Sequence, residues 1–393
     1  MTRASDRETD DRRADASGDG SGSRGDALDV GLVVYGGLDR TSGGFRYDRK
    51  LVSHLEGRGD RVEVIALPWR TYPEHLADAR SEALRAKLNR PVDVLVQDEL
   101  CHPSLWRHNP HLDRPGAVVS IVHHLRTDEV GPTLRPATRA IERRYLRTVD
   151  AAICASADTR DRTVALAPLP TLVARPGGRV EGAAVSPEAA AGRAREGPLR
   201  IGFVGNLVPR KGATTLLAGL ARVDRPWELT VVGSHEADPG YAREVREAAA
   251  ERGIGERVTF AGEVDDAELA SLLRRLHVLA VPSRHEGFGA VYLEAMEYGA
   301  VPVASAAGGA SELVADGENG FLVEPDDPDR IAAVVDRLAA DRTELARLSR
   351  AALETASEHP GWAETMERAR SFLVDIAGGR EPGTDGRDGG DHA

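Results

Sequence analysis

The sequence predicts an α/β protein made of two doubly wound parallel sheets, one in each half of the chain. Three observations predict it. At 393 residues the chain is long enough for two ordinary domains, each with its own core. Apolar runs of strand length alternate with stretches of helical periodicity, and the alternation starts afresh near the middle. Several runs end in glycine-rich turns that open a helix, the layout that puts a ligand beyond the carboxyl ends of parallel strands.

Taken in order, residues 1–26 are rich in Asp, Arg, Ser and Gly and too poor in apolar side chains to offset chain entropy, so a disordered polar tail is expected. The run 28–35 is the first strand, and 36–44 is a flexible glycine-rich loop. Residues 45–56 have helical spacing, with Phe45, Leu51, Val52 and Leu55 facing inward; 61–67 is the second strand. A strand, helix and strand in this succession makes the two strands parallel. A helix over 77–89, strands over 92–97, 117–122 and 151–155, and a helix over 135–147 complete a first domain, 27–190. The Ala/Gly/Arg-rich stretch 176–198 reads as a loop containing the boundary.

A second domain, 191–358, follows with strands over 199–204, 228–233, 257–261, 276–281, 300–304 and 320–323. Helices over 214–222, 241–252, 266–275 and 328–340 separate most of them. Residues 359–376 hold a terminal helix, and 377–393 reads as a second disordered tail.

Composition narrows the function classes. Apolar residues make up 41%, as in soluble globular proteins, and no apolar run reaches the length of a membrane-spanning helix. The polar start argues against a secretory signal, and two cysteines, Cys101 and Cys154, build no disulfide framework; a reducing cytoplasm is expected. The net charge of −12 argues against nucleic acid as a partner. That charge is concentrated in residues 196–393, with 35 acidic against 21 basic side chains, while 27–195 is mildly basic. Arg139, Arg143, Arg144 and Arg147 fall along one helix, a solvated face or a contact with an anionic membrane surface.

The chemistry concentrates in His285 to Gly299. An apolar strand ends at Pro282 and Ser283; Gly287 and Gly289 let the backbone turn and approach a ligand; a helix then runs from about Ala290 to a cap at Gly299. Backbone N–H groups at that helix start suit an anion, and Glu286 and Glu294 beside it suit sugar hydroxyls. The segment Gly202-Phe-Val-Gly-Asn-Leu-Val-Pro-Arg-Lys-Gly212 also follows a strand and opens a helix. Its lysine precedes the glycine with no hydroxyl residue directly after it, so it is not a P-loop. Lys211 is one of only three lysines in an arginine-rich chain.

Glu286-Gly-Phe-Gly-Ala-Val-Tyr-Leu-Glu294 resembles the Glu-x7-Glu signature of glycosyltransferase family 4. With the 202–212 segment and Gly308-Gly-Ala-Ser-Glu-Leu-Val-Ala-Asp-Gly-Glu-Asn-Gly-Phe-Leu-Val323, the resemblance runs from about Leu199 to Asp341. It implies the GT-B architecture, two Rossmann-like domains facing each other across a cleft, with a terminal helix crossing back to the first domain. It further implies a retaining transferase of the hexosyltransferase type that uses a nucleoside-diphosphate sugar, with no metal and no cofactor beyond that substrate.

By the same resemblance Glu294 holds the ribose, Glu286 and the backbone of Gly287, Phe288 and Gly289 contact the sugar, and Lys211 reaches the diphosphate. Many members carry arginine where Asn206 stands; Arg210 is expected to supply that charge. Gly43 and Gly44 are expected across the cleft from the diphosphate, and His123, rather than His124, at the sugar or acceptor. The cluster 97–102 is expected to line the acceptor side. Two other readings are an epimerase or phosphorylase of the same fold, and an inactive sugar-nucleotide-binding subunit. An epimerase needs no acceptor, a phosphorylase needs pyridoxal phosphate on a lysine, and an inactive subunit binds donor without turnover.

Overall fold

The computed structural model describes residues 27–40, 42–180 and 183–380; the tail expected at 1–26 and, of the one expected at 377–393, the residues past 380 lie outside the described residues, while Ala377 still belongs to the last helix. The first half builds β1 (Asp29–Tyr35), α1 (Gly43–Gly57), β2 (Arg61–Leu67), α2 (Tyr72–Asp78), α3 (Glu82–Leu88), β3 (Val94–Asp98) and α4 (His102–Leu105). It continues with β4 (Ala117–Val122), α5 (Arg135–Leu146), β5 (Ala151–Cys154), α6 (Ala157–Leu166) and β6 (Thr171–Val173). Its six strands form one sheet in the order β2-β1-β3-β4-β5-β6, with every pairing parallel.

The single helix expected over 77–89 is two helices. Ser81 interrupts it, and its side chain accepts the Leu84 N–H as the cap of α3. The strand period of two sorts the core. Val30, Leu32 and Val34 of β1 pack on one face of the sheet, and Val33 and Tyr35 on the other. Cys101 and Cys154 are free and buried on the second of these faces.

The second half opens with α7 (Pro187–Arg193), inside the stretch expected to be loop and across the expected boundary at 190. Ser186 caps it, and Ala191 and Ala194 join the core of the second domain. Next come β7 (Leu199–Val204), α8 (Ala213–Leu220), β8 (Trp227–Val232), α9 (Pro239–Glu251), β9 (Val258–Gly262), α10 (Asp266–Leu273), β10 (Val278–Val281) and α11 (Ala290–Met296). The chain ends with β11 (Val301–Ser305), β12 (Phe321–Val323), α12 (Pro328–Ala340), α13 (Arg342–Glu358) and α14 (Trp362–Ala377). The strand order is β12-β11-β10-β7-β8-β9, again parallel throughout.

In each sheet the winding reverses once, between β1 and β3 and between β7 and β10. Loops leaving those strands part from each other there and open a crevice at the carboxyl ends. α14 returns to the first domain, where Met366, Ala369, Phe372 and Leu373 complete the core on one face of its sheet.

Candidate active site

The two reversals meet. The loops after β7 and β10 carry Asn206 to Gly212 and Pro282 to Gly289; the loops after β1, β3 and β4 carry Ser42 to Gly44, Asp98 to Glu99 and His123. A Cβ on Gly287 would sit 2.0 Å from the carbonyl oxygen of His123, so the glycine turn of the second domain rests directly on the end of β4 in the first. Only a residue without a side chain permits that approach. Gly212, at φ +70°, does the same within the second domain: its missing Cβ would lie 2.2 Å from the Pro282 carbonyl oxygen. The Lys211 turn is thereby pressed against the end of β10.

That contact sets the charges. Lys211 Nζ lies 2.5 Å from Glu286 Oε1, and Ser283 Oγ donates to the same oxygen at 2.6 Å. Arg210 holds its guanidinium 3.8 Å from Glu286, donates to the His285 carbonyl, and pairs at 2.9 Å with Glu129 of the first domain. Burial pushes Glu286 up, but Lys211, Arg210 and Ser283 outweigh it and hold the carboxyl down at about 2. Lys211 moves the other way: burial and the neighbouring Arg210 lower it, and Glu286 with Glu129 only partly restore it. Arg210 and Lys211 face Glu286 and Glu129, two cations against two carboxylates, so the pairs balance in charge until an anionic ligand draws the cations away. Glu129 is also held at about 2, against burial, by His124 and Arg210.

Glu294 is buried and lies one helix turn further, where Arg46 of α1 reaches one of its oxygens at 2.6 Å and Arg179 the other at 3.0 Å. Arg179 is held in place from behind. Glu297 accepts the Arg179 and Val180 N–H groups, which fixes the segment joining the domains. Burial pushes that carboxyl up to about 7.

On the first-domain side, Ser42 caps α1 and brings Gly44 to His123; a Cβ there would lie 3.0 Å from the imidazole Cδ2. Gly43 faces open space. His123 points Nε2 at Asp48 Oδ1, 3.6 Å away, and Asp98 lies against the same group. Asp48, Asp98 and His123 offer three polar atoms within 4.8 Å of one another, close enough for one small cation or for shared protons. Burial favours the protons, which a metal would first have to displace.

The structure thus brings Lys211, Arg210, Glu286 and the Gly287–Gly289 turn together beside His123 and Gly44. Asn206, Phe288 and the 97–102 cluster lie outside that group of side chains. Asn206 is exposed and turned to the Ser234 N–H. The Phe288 ring is buried in the second core against His359, which leaves only its backbone to a ligand. The 97–102 cluster faces inward: Gln97 bonds Asn109, Cys101 is core, and burial lowers His102 to about 3.

Sequence reasoning missed Arg46, Asp48, Glu129 and Arg179. For Asp48 a signal existed, since it lies three residues from both Phe45 and Leu51 on the inward face of α1. Arg179 carries none, because its position is set by a loop.

Residues 187–355 match the family model described as glycosyl transferases group 1. A GDP-mannose-dependent alpha-(1-6)-phosphatidylinositol monomannoside mannosyltransferase of Mycobacterium tuberculosis is 30% identical over 262 residues, covering 62% of this chain and 67% of the relative. A D-inositol 3-phosphate glycosyltransferase of Stackebrandtia nassauensis is 35% identical over 177 residues, covering 43% of this chain; the match spans 40% of that relative's length.

Among solved structures, sucrose-phosphate synthase of Thermosynechococcus elongatus superposes with a TM-score of 0.75 at 21% identity, over 89% of this chain and 99% of the other. HepE of Anabaena, in complex with UDP-glucose, gives 0.69 at 19%, over 88% and 100%. These two likenesses establish the fold, two Rossmann-like domains in the GT-B arrangement. Paired acids, basic turn and matching relatives agree: the chain belongs to the group 1 glycosyl transferases.

Proposed function

We propose that the chain transfers a sugar from a nucleoside-diphosphate sugar to an acceptor hydroxyl, with retention at the anomeric carbon. One observation carries the reading: Lys211 and Arg210 converge on Glu286 beside a bare-backbone turn that touches His123 of the opposite domain. In this reading the two cations turn from Glu286 to the diphosphate as the bond between C1 and the phosphate oxygen breaks. The acceptor oxygen forms the new bond to C1 on the same face, and its proton leaves with the departing phosphate. Each preorganised cation is worth ~3–4 kcal/mol of barrier in comparable sites.

Glu286 and the 287–289 backbone orient the sugar, and Glu294 takes the ribose hydroxyls when Arg46 and Arg179 release it. Gly287 closing on His123 excludes the water that would otherwise hydrolyse the donor. The residues supply the charge this chemistry needs, so the reading calls for no metal and no cofactor beyond the sugar nucleotide. Arg135, Arg139, Arg143, Arg144 and Arg147 are all exposed along α5 near the exposed Leu134. That face suits an anionic membrane surface and an acceptor presented there. No helix among the described residues is long and apolar enough to cross a membrane.

A thermal-shift screen tests the reading. The M. tuberculosis relative is named for GDP-mannose and the Anabaena structure holds UDP-glucose, so the panel takes UDP-, GDP- and ADP-sugars. A donor at a hundred times its Kd stabilises the chain by about 2.7 kcal/mol, a shift of several degrees. One base series is expected to give that shift, and Glu294→Gln to remove most of it. A panel in which no sugar nucleotide raises Tm would overturn the reading.

A further inference from the structure

Beneath the cleft face of the first domain lies a group of acids that the proposed chemistry leaves unused. Asp48, on α1, is wholly buried, and neither of its carboxylate oxygens has a hydrogen-bond partner. Asp98, at the end of β3, is equally buried and accepts the Leu100 N–H. Glu99 is buried beside it and accepts the His123 N–H at 3.3 Å. The imidazole of His123 faces this group. Its Nε2 is also buried without a hydrogen-bond partner, 3.6 Å from Asp48, and its side chain is 12% exposed.

A buried carboxylate with no donor costs several kcal/mol unless it is neutralised or paired. Asp48 has one group within 4 Å among the described residues that can become a cation, and that group is His123. We propose that Asp48, backed by Asp98, is a positioning residue that keeps the His123 ring protonated at the mouth of the cleft. The first domain then presents a positive N–H edge opposite Lys211. The inference rests on the transferase reading for its purpose but not for its chemistry. With Nε2 committed to Asp48, Nδ1 is the edge left for the sugar or the departing phosphate.

Burial and charge compete around the ring. Burial works against a charged ring, but Asp48, by contact and by charge, and Asp98 outweigh it, and His123 is raised above the ordinary histidine value. Burial and the neighbouring Asp98 push Asp48 up to about 7, and burial with Asp98 raises Glu99 as well. Tyr47 of α1 meets the ring edge-on at 5.2 Å; nearby, Cys101 is buried among the same carboxyls, and His124 is tied to Glu129 at 2.9 Å. The second domain meets this strand end through the backbone of Gly287.

The experiment is an NMR titration of the full chain labelled with 15N-histidine, from pH 5 to 9 without ligand. His123→Gln identifies the resonance, and Asp48→Asn tests the partner. The expected wild-type midpoint lies above the ordinary 6.5, and Asp48→Asn lowers it by about one unit or more, a tenfold loss of proton affinity. A wild-type midpoint at or below the ordinary value overturns the proposal, as does a midpoint that Asp48→Asn leaves in place. A ring that titrates only after a chelator is added assigns the cluster to a divalent cation and overturns it too. Should Asp48→Asn not fold, the wild-type midpoint alone decides. No sugar nucleotide enters this measurement, so a silent donor screen and a failed titration are separate results.

Discussion

At the scale of single residues, Glu286 is held by a partner that itself resists burial. Its folded-state value of about 2 lies below the ordinary 4.5. A group depressed in this way adds stability that is fully present above the unfolded value and is lost as pH falls through the folded one. Lys211→Met leaves a buried carboxylate with only Arg210, 3.8 Å away, and Ser283. Breaking a buried pair from one side costs about 3–5 kcal/mol. The variant is therefore expected to lose several degrees of Tm at pH 7. The gap should narrow near pH 4, where the lone carboxyl takes a proton. A gap of constant size between pH 4 and 7 would show that the pair is not what Lys211 contributes. Turnover of any donor found by screening should fall ~100-fold or more, as when one preorganised charge is removed.

These two residues were legible in the sequence because the motifs that carry them, 202–212 and 286–294, resemble those of glycosyltransferase family 4; strand, turn and helix spacing alone fits a solvated lysine and an ordinary capped helix as well. Arg46 and Arg179, which occupy both oxygens of Glu294, were not. One lies on the far domain and the other in a loop, and no periodicity connects either to the acid it meets.

At the scale of elements, the loops at the two sheet reversals bring the halves together, and glycine sets how close they come. Gly287 has an ordinary backbone conformation, so alanine strains nothing within its own domain. Its Cβ would instead meet the His123 carbonyl at 2.0 Å, across the cleft. Gly287→Ala is expected to leave the second domain's unfolding transition within about 0.5 kcal/mol of wild type, as for a surface change. The radius of gyration from small-angle scattering should rise, and turnover should fall at least tenfold, since misplacement by an ångström is that costly. An unchanged radius with full turnover would mean the contact is not part of the working state. By contrast, Gly289 stands at φ +84°, and alanine there strains the turn itself.

Element prediction succeeded where apolar β-branched runs mark strands, as in β7 to β12. It failed where helices are written in alanine and arginine. α7 reads Pro-Glu-Ala-Ala-Ala-Gly-Arg inside the stretch expected to be loop, although Ser186 before Pro187 and Glu188 is a helix-start signal. α13, which packs beside α7 and α11, lies outside the expected helices.

For the whole molecule, the chain passes between domains twice, and the two passages lie side by side. Trp362 Nε1 donates to the Gly178 carbonyl at 2.7 Å, and His359 Nε2 lies 2.9 Å from the Pro176 carbonyl oxygen. Beyond that pivot α14 belongs to the first domain. Arg370 grips Asp60 through two bonds of 2.7 and 2.9 Å, and Phe372 and Leu373 fill the same core as Leu32 and Val96. The first sheet is thus not covered until the last helix has been made, whereas the second domain's core is a separate cluster containing no residue of α14. This separation predicts an uneven response. Phe372→Ala removes a buried ring and should cost about 3–5 kcal/mol. Because the two cores are distinct, hydrogen exchange should quicken in β1 to β6 while β7 to β12 keep their protection. Equal loss of protection in both sheets would show that the domains unfold as one unit and that α14 is a brace for the pair rather than a missing piece of the first.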